Sequence, residues 1–235
     1  MSRIPSGRSF PVKFVACSFD GMSDETNPAA LVEHQAEWAQ RASRLLSGVR
    51  DAVGGLDGAE AATLDHIGST SVPGLAAKPF VDLQLRISPL PAEHELVARL
   101  APLGYVRARG SRPDSPGVDR DLPRGSIKVD PLVWEKLLFW HEDNQAILHV
   151  RRADSPWGLY TIWFRDWLRA NADARQRYET AKRALSVQQI GKADYDDYTL
   201  AKTEFFDQVQ TEFESWAARN HEAADDDPAS RSSPE

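Results

Sequence analysis

The chain has 235 residues, 41% of them apolar, which is enough for one large domain with a genuine core. Its formal charge is −7, but the closing stretch "EAADDDPASRSSPE" supplies −4 of it; so nearly balanced a body excludes a dedicated duplex-DNA binder and leaves room for a basic pocket around one phosphorylated ligand. A single cysteine, Cys17, excludes an internal disulfide and a cysteine-built zinc site, and with no leader-like segment and no long apolar run the expected setting is cytoplasmic, away from membranes.

Residues 1–27 mix Pro, Gly and Ser with short apolar pieces and are expected to form a partly flexible arm, with "PVKFVACSF" as its one strand candidate. Asn27-Pro28 then has the form of an N-cap followed by proline at the first helical position. Leu31, Trp38, Leu45, Val49 and Val53 recur at steps of four or seven, so the pattern predicts an amphipathic helix ending at Gly54-Gly55.

The next segment, "HIGSTSVPGL" from His66 to Leu75, concentrates turn chemistry. It is not a P-loop, because Pro73 stands where the second glycine would be and Lys78 precedes Pro79 rather than a hydroxyl. It has no dinucleotide G-x-G-x-x-G, and a nucleophile elbow fails because Thr70 and Val72 stand at its serine and final glycine positions. What remains is Gly68 followed by Ser69, Thr70 and Ser71. These residues suit either a turn closed by its own hydroxyls or a cradle for phosphate oxygens.

Phe80 to Ile87 alternates as a strand, with Val81, Leu83 and Leu85 on one face and Asp82 and Gln84 on the other. A helix is predicted from Pro91 to Leu103, and then a long loop carries Arg107, Arg109, Arg112, Arg120, Arg124 and Lys128. "KLLFWHEDNQAILHV" has the pattern of a hairpin turning at "EDNQ", which puts His141 near a solvated turn. From about residue 155 the chain becomes helical. Ser155-Pro156 starts one helix, Asn171 caps another, and a third runs from about Tyr195 to Ala218.

Lys202 lies four residues after Tyr198 and three before Phe205, on the apolar stripe of its helix; Arg165 beside Phe164 and Lys182 four after Tyr178 are placed similarly. A cation on a core-facing stripe either meets an internal acid or reaches a ligand anion. Trp38, Trp157, Trp163, Trp167 and Trp216 are expected in the core. The fold class expected is α/β (α+β): residues 28–220 form a small mixed sheet flanked by helices with a C-terminal helical block, and residues 221–235 form a disordered acidic tail.

The continuous stretch "HIGSTSVPGLAAKPFVDLQL" resembles the signature of the GrpB family, a branch of the nucleotidyltransferase-like superfamily whose members occur alone and as a domain attached to dephospho-CoA kinase. "LVEHQAEW", "AILHV", "FRDWLRAN", "RYETAKRAL" and "YTLAKTEFFDQV" resemble later segments of the family, so the likeness spans roughly residues 30 to 215. The resemblance implies a Gly-Ser loop for a nucleoside triphosphate, then a strand with D-x-D or D-x-E carboxylates holding Mg²⁺ or another divalent cation, then a third acid on a later strand. Gly68, Ser69, Thr70 and Ser71, with Lys78, fall at the phosphate-binding positions, and Asp82 at the first metal-binding carboxylate. Arg165, Lys182 and Lys202 fall at basic positions suited to an anion.

The match departs from the superfamily at two points. Gln84 stands where the second carboxylate would be, and His149 where the third would be, with Asp130 as the one alternative acid. Two functions follow from the resemblance: transfer of a nucleotidyl group to a small acceptor, with Asp82 and His149 as catalytic residues, or metal-free binding of a nucleotide, coenzyme A relative or other phosphorylated small molecule.

Overall fold

The computed structural model describes residues 29–109, 115, 117–123, 129–192 and 196–225, the side chains of 196 and 221–225 excepted. Five strands form one mixed sheet: β1 (Thr63–Ile67), β2 (Val81–Arg86), β3 (Val106–Arg107), β4 (Lys136–His141) and β5 (Ala146–Arg151), in the order β1-β2-β5-β4-β3. The β2–β5 pair is parallel and the remaining pairs are antiparallel. Among the described residues five α-helices accompany it: α1 (Glu37–Val53), α2 (Glu93–Leu100), α3 (Pro156–Ala170), α4 (Ala172–Val187) and α5 (Asp196–Asp225).

Strand alternation gives the sheet two unlike faces. Val81, Leu83 and Leu85 of β2, Leu148 and Val150 of β5 and Phe139 of β4 are fully buried in one core with Trp38 and Val49 of α1 and Leu96 of α2. Each such side chain contributes about 1.5–3 kcal/mol of burial free energy. The opposite face carries the intervening residues. The register sets Gln84 beside His149 and Lys136 beside Arg151, so charged and polar groups gather where α3, α4 and α5 close over the sheet.

Those three helices have a second core of their own, in which Phe164, Trp167, Tyr178, Phe205, Val209 and Phe213 pack around Val72 and Leu75. The segment after Gly68 is thus anchored between sheet and helical layer by its own apolar residues. Ser155 starts α3 as expected, its Oγ accepting from the Gly158 N–H with Pro156 at the first helical position. The hairpin also turns where the sequence places it, at Glu142–Gln145, with Gln145 at φ 45°.

Several expectations are corrected. The first helix begins at Glu37, not at Pro28, because Val32 pairs with Ala77 through two 2.9 Å backbone hydrogen bonds and holds the preceding segment extended. Strand β1 lies where no strand is predicted, and β3 takes the first residue of the predicted loop, Arg107, together with Val106 before it. Arg109 pairs with Glu93 and Arg120 with Glu135 on the surface, while the largely buried Arg107 side chain pairs with Glu93 and Asp119, so these loop cations are engaged outside the site.

Asn171 closes α3 by donating to the Trp167 carbonyl, and its side chain does not cap α4. His141 is buried against Tyr105 at 4.9 Å and bonded to Asn144, not solvated. The last helix continues beyond Ala218 to Asp225. The N-terminal arm with Cys17, the Asn27-Pro28 cap, Arg112, Arg124, Lys128 and residues 226–235 lie outside the described residues. No helix among those described is long and apolar enough to cross a membrane.

Candidate functional site

A cavity of about 350 Å³ opens between the polar sheet face, the turn after β1 and the helices α3 to α5. Gly68, Ser69, Thr70, Lys78, Asp82, His149, Arg165, Lys182 and Lys202 all line it, though they come from six separate segments. Ser71 does not. Its Oγ donates to the Gly68 carbonyl at 2.6 Å and its own carbonyl accepts from Arg169, so it holds the turn together. Asp130 is exposed and caps a short 3₁₀ turn by accepting from Leu132 N–H, away from the cavity wall.

Gly68 has φ +70° and ψ −173°, a region open almost only to glycine. The close approach it permits is to Asp82: a Cβ at Gly68 would lie 2.2 Å from Asp82 Oδ2. Thr70 is buried and bonds His66 Nε2 at 3.1 Å, while Ser69 meets the Tyr178 hydroxyl. Burial, with Arg169 and Arg165 nearby, lowers His66 to about 4.

The floor of the cavity is a buried network. Arg151 is 1% exposed and forms a fork onto Asp121, Nε to Oδ2 at 2.7 Å and Nη2 to Oδ1 at 3.0 Å. Its Nη1 donates to Gln84 Oε1 at 2.8 Å, and Lys136 Nζ lies 3.0 Å from Asp121 Oδ1. Burial lowers Lys136 to about 8 although Asp121 opposes the shift. Burial alone would raise Asp121, but Lys136 and Arg151 outweigh it and hold the carboxyl below its ordinary range.

Gln84 is fully buried. It donates to the Gly158 carbonyl at 3.0 Å and accepts from both Arg151 and Thr161. Its amide therefore belongs to the floor.

Above this floor Asp82 is surrounded by cations. Burial raises its carboxyl above the ordinary range, against the opposing pull of Lys202, Lys78, Arg151 and Lys136. Lys202 rests 5.1 Å from the Tyr198 ring centroid with no carboxylate at ion-pair distance among the described residues. Lys78 lies over the same ring and over Phe80. Arg165 pairs with Asp166 at 2.8 Å and donates to the His66 carbonyl, and Lys182 donates to the Ala76 carbonyl, so both already hold the walls. Burial, then the neighbouring Lys202, lowers Lys182 to about 7. On the far side Trp157 stacks on Tyr160 at 4.9 Å and faces the cavity instead of the core.

A sequence model described as "GrpB protein" matches residues 28–212. The chain belongs to the GrpB family. Its curated relatives include a dephospho-CoA kinase of Mycolicibacterium paratuberculosis, 32% identical over 197 residues, covering 81% of this chain and 47% of the relative. A UPF0157 protein of Streptomyces coelicolor is 34% identical over 178 residues, covering 74% of this chain and 78% of the other. The chain thus spans about half the length of the kinases it matches. The solved GrpB protein of Enterococcus faecalis shares the fold at a TM-score of 0.52 and 18% identity, over 77% of this chain and 99% of that one.

Sequence reading of this GrpB chain missed Lys136, Arg151 and Asp121. One signal was available: His149 and Arg151 are two residues apart in an apolar strand and so share a face. The floor also bears on the expected magnesium. Asp82 is one carboxylate, Asp121 is committed to two cations, and Gln84 Oε1 accepts from two donors. Among the described residues no group of three His, Cys, Asp or Glu could hold a metal. A hard dication prefers several oxygens with negative charge, and this donor set does not fit it.

Proposed function

We propose that the cavity binds a nucleotide or related phosphorylated small molecule through its own cations, without a divalent metal. One observation carries this reading: Lys78, Lys202, Lys136 and Arg151 line the same cavity as Asp82, whereas the second metal-binding position is an amide bound into the core. Such a surplus of buried positive charge favours entry of an anion. The resemblance to nucleotidyltransferase-like proteins and the names of the dephospho-CoA kinase relatives both favour a nucleoside phosphate, with dephospho-CoA and ATP as the ligands to try first. The stacked Trp157–Tyr160 pair offers a flat apolar surface for such a ligand's base.

Thermal unfolding with ATP, CTP and dephospho-CoA, in EDTA and in Mg²⁺, tests this. A ligand at about 100 times its Kd adds about 2.7 kcal/mol of stability. Stabilisation in EDTA that disappears in Lys202→Ala is the expected result, and no stabilisation by any of the three overturns the proposal. Stabilisation that requires Mg²⁺ and is lost in Asp82→Asn would favour nucleotidyl transfer instead.

A further inference from the structure

His149 lines the cavity from strand β5, and its two ring nitrogens face different surroundings. Nδ1 lies 3.2 Å from Lys136 Nζ and 3.4 Å from Arg151 Nη2. Nε2 faces Asp82, 3.8 Å from Oδ1, too far for a hydrogen bond. Guanidinium nitrogens only donate, so Nδ1 beside Arg151 has to present its lone pair, and the ring proton then resides on Nε2. We infer that His149 is a fixed hydrogen-bond donor to an anionic oxygen of the ligand, its tautomer set by Arg151 and Lys136 rather than free to serve as a base or metal ligand.

The inference rests on the phosphate-binding reading above and names a subsite within it. The lone pair that a base or a metal would need is turned towards two cations. Burial, then Lys136, Arg151 and Lys202, push the imidazole well below its ordinary pKa, so the ring remains neutral. Asp121 completes the device by holding Arg151 and Lys136 in place through contacts of 2.7–3.0 Å. A phosphate oxygen entering beside Asp82 meets Nε2–H on the sheet side and the Lys202 ammonium on the helix side. Lys136 and Arg151 are positioning residues in this arrangement, and their charges add attraction at short range.

The test uses the full chain labelled with ¹⁵N-histidine, and pyrophosphate as the probe. Long-range ¹H–¹⁵N spectra at pH 7, assigned with a His149→Gln variant, should show a neutral ring protonated at Nε2 in the free protein. Pyrophosphate affinity, measured by calorimetry in EDTA, should fall roughly 10- to 100-fold in His149→Phe, the loss expected for a hydrogen bond to a charged group. His149→Gln, whose amide nitrogen can take the place of Nε2, should stay within about threefold of the parent.

Circular dichroism of both variants checks that they fold. An Nδ1–H tautomer, or a Gln variant as weak as the Phe variant, overturns the donor role even if pyrophosphate binds well. An Nε2–H tautomer without any pyrophosphate binding instead overturns the phosphate-binding reading, and the donor role with it.

Discussion

Gly68 lies directly against the carboxylate of Asp82, so that a Cβ at Gly68 would come within 2.2 Å of Oδ2 and 2.9 Å of Asp82 Cβ and Cγ. The glycine that opens the turn is thus required by the strand that follows it. Gly68→Ala has to displace Asp82 and also adopt φ +70°, and should destabilise the protein by about 1–3 kcal/mol in urea denaturation. Asp82→Ala should recover part of that loss in the double variant, because the two side chains compete for one space. Strictly additive losses would show that backbone strain alone sets the effect.

Gln84→Glu restores the carboxylate that a magnesium site would use. It also removes the donor to the Gly158 carbonyl, 3.0 Å away, and aims a second acceptor at it. The variant should lose about 1–3 kcal/mol of stability and gain no Mg²⁺ dependence in ligand binding. The same denaturation and calorimetric measurements check both outcomes, and a gain of tight Mg²⁺ binding without loss of stability would contradict the assignment of Gln84 to the floor.

Asp121 should govern part of the acid stability. Its folded carboxyl titrates below the unfolded value of 3.8, so its contribution is present above that pH and is lost as pH falls through the lower folded value. Asp121→Asn leaves Arg151 and Lys136 buried without their acid and should cost about 3–5 kcal/mol at pH 7. Its stability curve should also be flatter below pH ~4 than that of the parent. An unchanged acid limb would show that other carboxylates control it.

The elements with strong periodicity were legible in the sequence. The strand around Asp82, the hairpin turning at Glu142–Gln145 and the start of α3 at Ser155-Pro156 lie where alternation, turn residues and capping chemistry place them. β1 was not legible, because "TLDHI" sets Asp65 and His66 side by side and shows no clean alternation. His141 was misplaced for a related reason: proximity to a turn suggests solvent, but Tyr105 covers it from another segment.

Local chemistry by itself determined that Gly68 begins a special turn and that Asp82 lies on a mixed strand face with Gln84; the family resemblance added that Gln84 stands where a second carboxylate is expected. Only the tertiary structure decided what these residues do to one another. The register of β4 on β5 brings Lys136 beside Arg151, and a loop residue, Asp121, neutralises part of their charge. Arg151 then binds Gln84 and fixes the proton of His149. Those contacts join residues 2 to 67 positions apart in sequence. Helical and strand periodicity reach only a few residues, whereas charge pairing in a buried layer acts between whichever side chains the sheet brings within about 4 Å.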